Sequence, residues 1–228
     1  MTARVVASAL LAALCVAQEP KPSRMEIVLE RREAKTSKMM DPGHIFAEGD
    51  LVRFRFKANF AGYLYVINRS TSGKYTLLFP KDETGRNNRV EPSAEYVLPA
   101  TKDGWFRIEG PAGHEVVYWL MSPTDLAREG GTQLPYIHPL PPAKPEELPP
   151  GVTPRCDDTV FRARGDCVDI QAGAKPVSKA ETLPQNLAQV TGAAEQDLVF
   201  MRRQYLSMVS SPGSLGGPVL YEFHVAHK

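Results

Sequence analysis

The sequence is poor in what most recognisable activities require. Its 228 residues include three cysteines, five histidines and two tryptophans, and Lys+Arg at 27 against Asp+Glu at 26 leaves a formal net charge of +1. So even a balance announces no polyanionic partner and argues against a general nucleic-acid binder. The histidines (His44, His114, His138, His224, His227) form no HExxH or HxH set, and no CxxC is present, so the common local metal and redox motifs are missing. Ser210, Ser211 and Ser214 lie in a Gly/Pro-rich stretch without the strand-to-helix elbow of a serine hydrolase. Gly213–Gly217 lacks the Gly-Lys-Ser/Thr ending of a phosphate loop. Beyond the first 17 residues no apolar run approaches the ~20 residues that cross a bilayer as a helix. The composition leaves no enzyme case, and no cofactor is expected.

What is present begins with a leader. Arg4 is followed by the apolar stretch Val5–Ala17, in which Ser8 is the only polar residue, the pattern of a secretory signal peptide over residues 1–17. Cleavage after Ala17 puts Cys15 at −3 and Ala17 at −1, both small. Lipid attachment at Cys15 is the alternative, disfavoured by Leu14 where a small residue is wanted. The remainder, residues 18–228, reads as one domain exported in soluble form to the periplasm or the extracellular space. Losing Arg4 brings its charge to 26 against 26. Export leaves Cys156 and Cys167 as an even pair in an oxidising compartment, and a disulfide closing a hairpin over 155–170 is expected.

The body of the chain alternates. Met25, Ile27 and Leu29 against Glu26 and Glu30 suggest a strand over Met25–Arg31, followed by a loop at Lys35–Pro42. Leu51–Ala58 puts Val52, Phe54, Phe56 and Ala58 on one face and Arg53, Arg55 and Lys57 on the other, a half-buried antiparallel strand. Gly62–Asn68 is apolar on both faces, which suits a strand covered on each side. Further strands are expected at Tyr75–Phe79, Tyr96–Leu98, Trp105–Glu109, His114–Met121 and 218–226, the last closing a sheet begun much earlier. Short strands at this spacing with Gly/Pro turns indicate a mainly β, immunoglobulin-like antiparallel β-sandwich. Residues 135–154 hold eight of the twenty prolines, which makes them an extended crossing strap rather than a central strand or helix. Leu198, Met201, Tyr205 and Met208 recur at three- and four-residue steps, so a helix is expected over 193–209.

The stretch 49–122 resembles the bacterial domain of unknown function 4384 family. The resemblance is carried by Val52–Phe56, Gly62-Tyr63-Leu64-Tyr65-Val66-Ile67, Leu77-Leu78-Phe79-Pro80, Asn87-Asn88-Arg89-Val90, Tyr96–Pro99, Trp105-Phe106-Arg107-Ile108 and Gly113–Ser122, in that order. The ending Leu220-Tyr221-Glu222-Phe223-His224 is similar to endings of exported members. The resemblance implies a β-sandwich module, often exported or appended to signalling or envelope proteins, without established chemistry, and it accounts for neither the proline strap nor the cystine hairpin.

Three groups of residues invite a functional reading. Asp157, Asp158, Asp166 and Asp169 come together if the cysteines pair, and four carboxylates are a set that Ca²⁺ can use. No regular ligand spacing supports that, and solvated turn residues beside Arg155, Arg162 and Arg164 are the plainer reading. Arg53, Arg55 and Lys57 form a basic stripe fit for an anionic polymer, or one simply paired with acids on the neighbouring strand. Tyr63, Tyr65, Tyr75, Trp105 and Trp119 serve a glycan if exposed and a core if buried. His224 is expected on an outer face, His114 at a strand end and His227 in a frayed tail. The function expected is non-catalytic recognition or assembly with a protein or other component of a bacterial envelope, and without nucleic acid. The alternatives are a glycan-binding module, which needs an exposed aromatic row, and an envelope hydrolase, which needs a polar cleft with converging histidine and carboxylate side chains.

Overall fold

The computed structural model of the chain describes residues 21–126, 153–156, 167–177, 183, 187 and 197–228. The leader, the proline strap through residue 152 and the cystine loop 157–166 lie outside the described residues. Thirteen strands follow in order: β1 (Arg24–Glu33), β2 (Thr36–Met40), β3 (Leu51–Ala58), β4 (Gly62–Arg69), β5 (Tyr75–Phe79), β6 (Arg89–Val90), β7 (Glu95–Leu98), β8 (Phe106–Arg107), β9 (Gly113–Ser122), β10 (Gly173–Lys175), β11 (Val199–Arg203), β12 (Leu206–Ser210) and β13 (Val219–His227). They make two antiparallel sheets. The first runs β11-β12-β1-β3-β7, with β2 continuing beside β1 and β8 beside β3; the second runs β10-β13-β9-β4-β5, with β6 beside β4.

Period-two patterning explains how the sheets face each other. In β1 the side chains of Met25, Ile27 and Leu29 are buried, and they sit in register with Ala58, Phe56 and Phe54 of β3. From the other sheet Val117, Trp119 and Met121 of β9 and Tyr221, Phe223 and Val225 of β13 enter the same core. The result is a β-sandwich, the architecture that alternation implies when both inner faces are apolar. Trp119 lies at its middle, fully buried, edge-on to Phe54 and Phe56 at 5.5 Å each and stacked on Tyr221 at 6.4 Å. Tyr221 points its hydroxyl inward and donates it to the Met25 thioether at 2.8 Å. Burial raises its pKa well above the usual phenol range.

The second sheet is also covered on its outer side. Tyr65, Ile67, Val116, Tyr118, Leu120 and Leu220 form a separate buried cluster with Leu187, which is why β4 is apolar on both faces. The Tyr65 hydroxyl donates to Asp125 Oδ1 at 2.9 Å and accepts from the Leu126 amide at 3.0 Å. Burial, reinforced by the Asp125 carboxylate, pushes this phenol up to about 12.

Three sequence expectations are corrected here. The helix placed at 193–209 is, over its described part, the hairpin β11–β12, whose turn is Gln204-Tyr205. Met201 and Met208, two helical turns apart by their spacing, are cross-strand partners. The Lys35–Pro42 loop contains β2, folded back on β1 through Ala34-Lys35. The tail expected to fray is the end of β13: His227 pairs with Gly113 of β9 and bridges Phe46, and it is fully buried.

Candidate functional site

The basic stripe on β3 has partners. Glu30 of β1 lies opposite Arg53 and diagonal to Arg55 on the outer face of the first sheet. Its carboxylate accepts from Arg53 Nε at 2.6 Å and from Arg55 Nε at 2.9 Å, and its side chain is only 3% exposed. Burial pushes the Glu30 carboxyl up, but the two guanidiniums outweigh it and hold the group below the usual carboxylate range. Arg55 also pairs with Glu95 of β7, and Arg53 lies over the Trp105 ring at 4.4 Å while donating to Ser37 Oγ at 3.2 Å. Both guanidiniums are therefore engaged within the sheet. Lys57 of the stripe remains exposed beside Glu26.

Beside this clamp the same face also carries apolar side chains, interspersed with Glu26, Lys57 and Arg203. Register places Met201 beside Met208, and Leu206 beside Val28. Met39 stands opposite Glu30. Met39, Met201 and Val199 are 49%, 41% and 55% exposed, whereas Val28, Leu206 and Met208 are half-buried. Of the five aromatics considered for glycan contact, Tyr65 and Trp119 are buried, Tyr63 and Tyr75 pack on the outer cluster of the second sheet, and Trp105 is on this face but covered by Arg53.

A second concentration of polar groups sits on the outer side of the second sheet, where β10 closes its edge. His114 of β9 is 9% exposed at its side chain and hydrogen-bonds Asp169 Oδ2 through Nε2 at 3.0 Å. His224 of β13 pairs with Glu222 at 2.7 Å, and the two imidazoles are 5.9 Å apart. Lys175 of β10 stands in register with Glu222. Burial pulls the Lys175 amine below its usual range, while Glu222 and Asp169 work in the opposite direction. Sequence reasoning missed this convergence, because its members are spread over more than a hundred residues.

Asp169 is the organiser. Besides His114 it accepts from the amides of Gln171 at 2.7 Å and Arg155 at 3.2 Å, and its own amide donates to Gly43 at 2.7 Å. Cys156 and Cys167, joined by a disulfide with Cα atoms 4.9 Å apart, are fastened to the sandwich through it. Gly173, at φ +93°, admits the change of direction from the Ile170-Gln171 turn into β10, with Pro42 only 3.3 Å from where a β-carbon would stand. Of the four acids weighed for calcium, Asp157, Asp158 and Asp166 lie outside the described residues, and Asp169 is a 2% exposed clamp rather than a solvated turn residue. Among the described residues no group of three or more His, Cys, Asp or Glu is placed to hold a metal ion.

An imidazole oriented by a carboxylate is half of an acid–base device, and both histidines have that half, but no described hydroxyl or thiol hydrogen-bonds His114. Asp169→Ala is expected to cost about 2–3 kcal/mol, because it strands a buried imidazole and two amides. It should also speed reduction of the disulfide by dithiothreitol. An unchanged melting temperature and reduction rate would show these contacts to be idle. His227 differs again: Nε2 is 3.6 Å from Glu115, and neither ring nitrogen has a hydrogen-bond partner among the described residues.

A family model described as Domain of unknown function (DUF4384) matches residues 45–125. No curated protein and no solved structure matches the chain. The matched segment runs from the bridge at Phe46 to Asp125 and contributes strands to both sheets. The central partners β1 and β13 come from outside it.

Proposed function

We propose that the chain, whose residues 45–125 match that family model, is an exported, non-catalytic recognition or assembly module of a bacterial envelope, and that the outer face of its first sheet is where it engages a protein partner. The observation that carries the reading is the half-exposed stripe of Val28, Met39, Val199, Met201, Leu206 and Met208. Flexible thioethers suit a surface that must fit another protein. The neighbouring guanidiniums are held by Glu30 and Glu95, which supports a protein partner over an anionic polymer, and the burial of Tyr65 and Trp119 with the packing of Tyr63, Tyr75 and Trp105 against neighbours weighs against the glycan reading. The leader pattern supports export. No helix among the described residues is long and apolar enough to cross a membrane.

The test is crosslinking of the tagged protein in intact envelopes, followed by capture, with a Met39→Glu/Met208→Glu double variant alongside. A specific partner should be captured by the natural chain and lost from the variant, at matching melting temperatures. Capture indifferent to the double substitution, or no specific partner at all, would overturn the assignment of this face.

A further inference from the structure

We propose that two copies of this chain join edge to edge through β11, antiparallel about a two-fold axis at Phe200, so that their first sheets become continuous. The inference deepens the assembly reading above and rests on it. β11 ends the strand order of the first sheet, and no described strand pairs with its far side. Exposed edges are templates for pairing, and proteins guard them with proline, bulges or lysine. β11 (Val199-Phe200-Met201-Arg202-Arg203) contains neither proline nor lysine, and its ladder with β12 is unbroken. Arg202, which can act as a guard, is paired with Asp41. Instead the hairpin exposes Val199, Met201 and Tyr205, the last 44% exposed; together these are three of the five exposed large hydrophobic side chains among the described residues. Apolar exposure is thus concentrated at one edge.

The backbone and the charges together select one register. Arg203 and Leu206 close a two-residue turn, so this pair exchanges its hydrogen bonds, as do Met201–Met208 and Val199–Ser210 by alternation. The N–H and C=O groups of Leu198, Phe200 and Arg202 therefore point away from β12. An antiparallel partner copy forms a ladder only if these groups meet their own kind. With Phe200 opposite Phe200 of the second copy, Leu198 meets Arg202 and that condition holds. On the outer face Val199 then meets Met201, and Asp197 meets Arg203, twice by symmetry. Asp197 and Arg203 are exposed and carry no ion pair within the chain among the described residues. A slip of two residues one way puts Arg203 against Val199, and the other way Asp197 against Met201. Only the Phe200-centred register matches opposite charges and covers both apolar side chains, the self-complementarity that an isologous interface needs.

Sedimentation equilibrium and light scattering on the purified full chain, over a concentration series, test this directly. The natural chain should show twice the monomer mass. Arg203→Glu and Asp197→Arg, each placing like charges opposite one another, should weaken association by roughly 10–100-fold. The Asp197→Arg/Arg203→Asp double variant should restore it to near the natural value. Both positions are exposed, so at concentrations where every form is monomeric the melting temperatures should match, whereas at higher concentration the natural chain and the charge swap should melt above both single variants. A monomer at every reachable concentration, a dimer indifferent to both single changes, or a charge swap that fails to restore association would overturn the proposal. A monomeric natural chain that still captures a partner through Met39 and Met208 would sink the edge pairing while leaving the assembly reading in place.

Discussion

Replacing Trp119 by alanine is expected to lower stability by about 3–5 kcal/mol, the usual range for deleting a large buried aromatic. The indole is fully buried and is gripped by Phe54 and Phe56 from the first sheet and by Tyr221 from its own, so the cavity opens where both sheets meet and neither can collapse alone. For a chain of this size the melting temperature should fall by roughly 10–15 °C. Trp119→Phe makes the reading specific. The indole Nε1 has no hydrogen-bond partner among the described residues, and an unpartnered buried donor is itself a penalty. Phenylalanine removes that donor along with the extra ring, so its cost should be about 1–2 kcal/mol, well under the alanine value. Equal losses for the two variants in chemical denaturation would mean that volume does not control this position.

Glu30→Ala should destabilise by about 2–4 kcal/mol, because it leaves two guanidiniums facing each other without their shared carboxylate. The lower part of that range reflects their partial exposure, 23% for Arg53 and 35% for Arg55. The pH dependence follows from the depressed pKa. In acid the unfolded chain binds a proton at this carboxyl before the folded chain does. The stabilisation is therefore complete above the ordinary carboxylate range and is lost as pH falls through the lower, folded value. Thermal melts of the natural chain and of Glu30→Gln should differ most near neutrality and converge in acid. A gap that stayed constant would assign Glu30 a steric rather than an electrostatic role.

Strand alternation made much of this fold legible. Val52, Phe54, Phe56 and Ala58 against Arg53, Arg55 and Lys57 specified β3 and its faces outright, and the double apolarity of Tyr63–Ile67 pointed to a strand covered twice. The missed β2 and the misplaced helix share a cause. The β1–β2 and β11–β12 turns, Ala34-Lys35 and Gln204-Tyr205, contain no glycine, asparagine, aspartate or proline, although Ala34 and Gln204 adopt φ of 48° and 44°. Without turn chemistry to announce a reversal, residues 198–208 retained a helical spacing that is a by-product of folding back. The polar cluster was hidden differently. Asp169, His114 and Glu222 are ordinary surface residue types in sequence, and only the approach of β10 to β13 buries them. The Arg53/Arg55 stripe could be read, but its partner Glu30 lay two dozen residues upstream on a strand whose neighbour alternation alone does not identify.

The way the two sheets are completed bears on the chain's history before it is folded. β3 relies on β1 and β9 on β13, while β1 itself waits for β12, so Arg24 finds its neighbour only when Ser210 exists. Pairings of such sequence separation form slowly. A ribosome must therefore release the chain through Ser210 before the first layer has all its strands, and through His227 before the second does. Throughout that interval the apolar strands lining the future interior lack part of their cover and stay open to chaperones, proteases and one another.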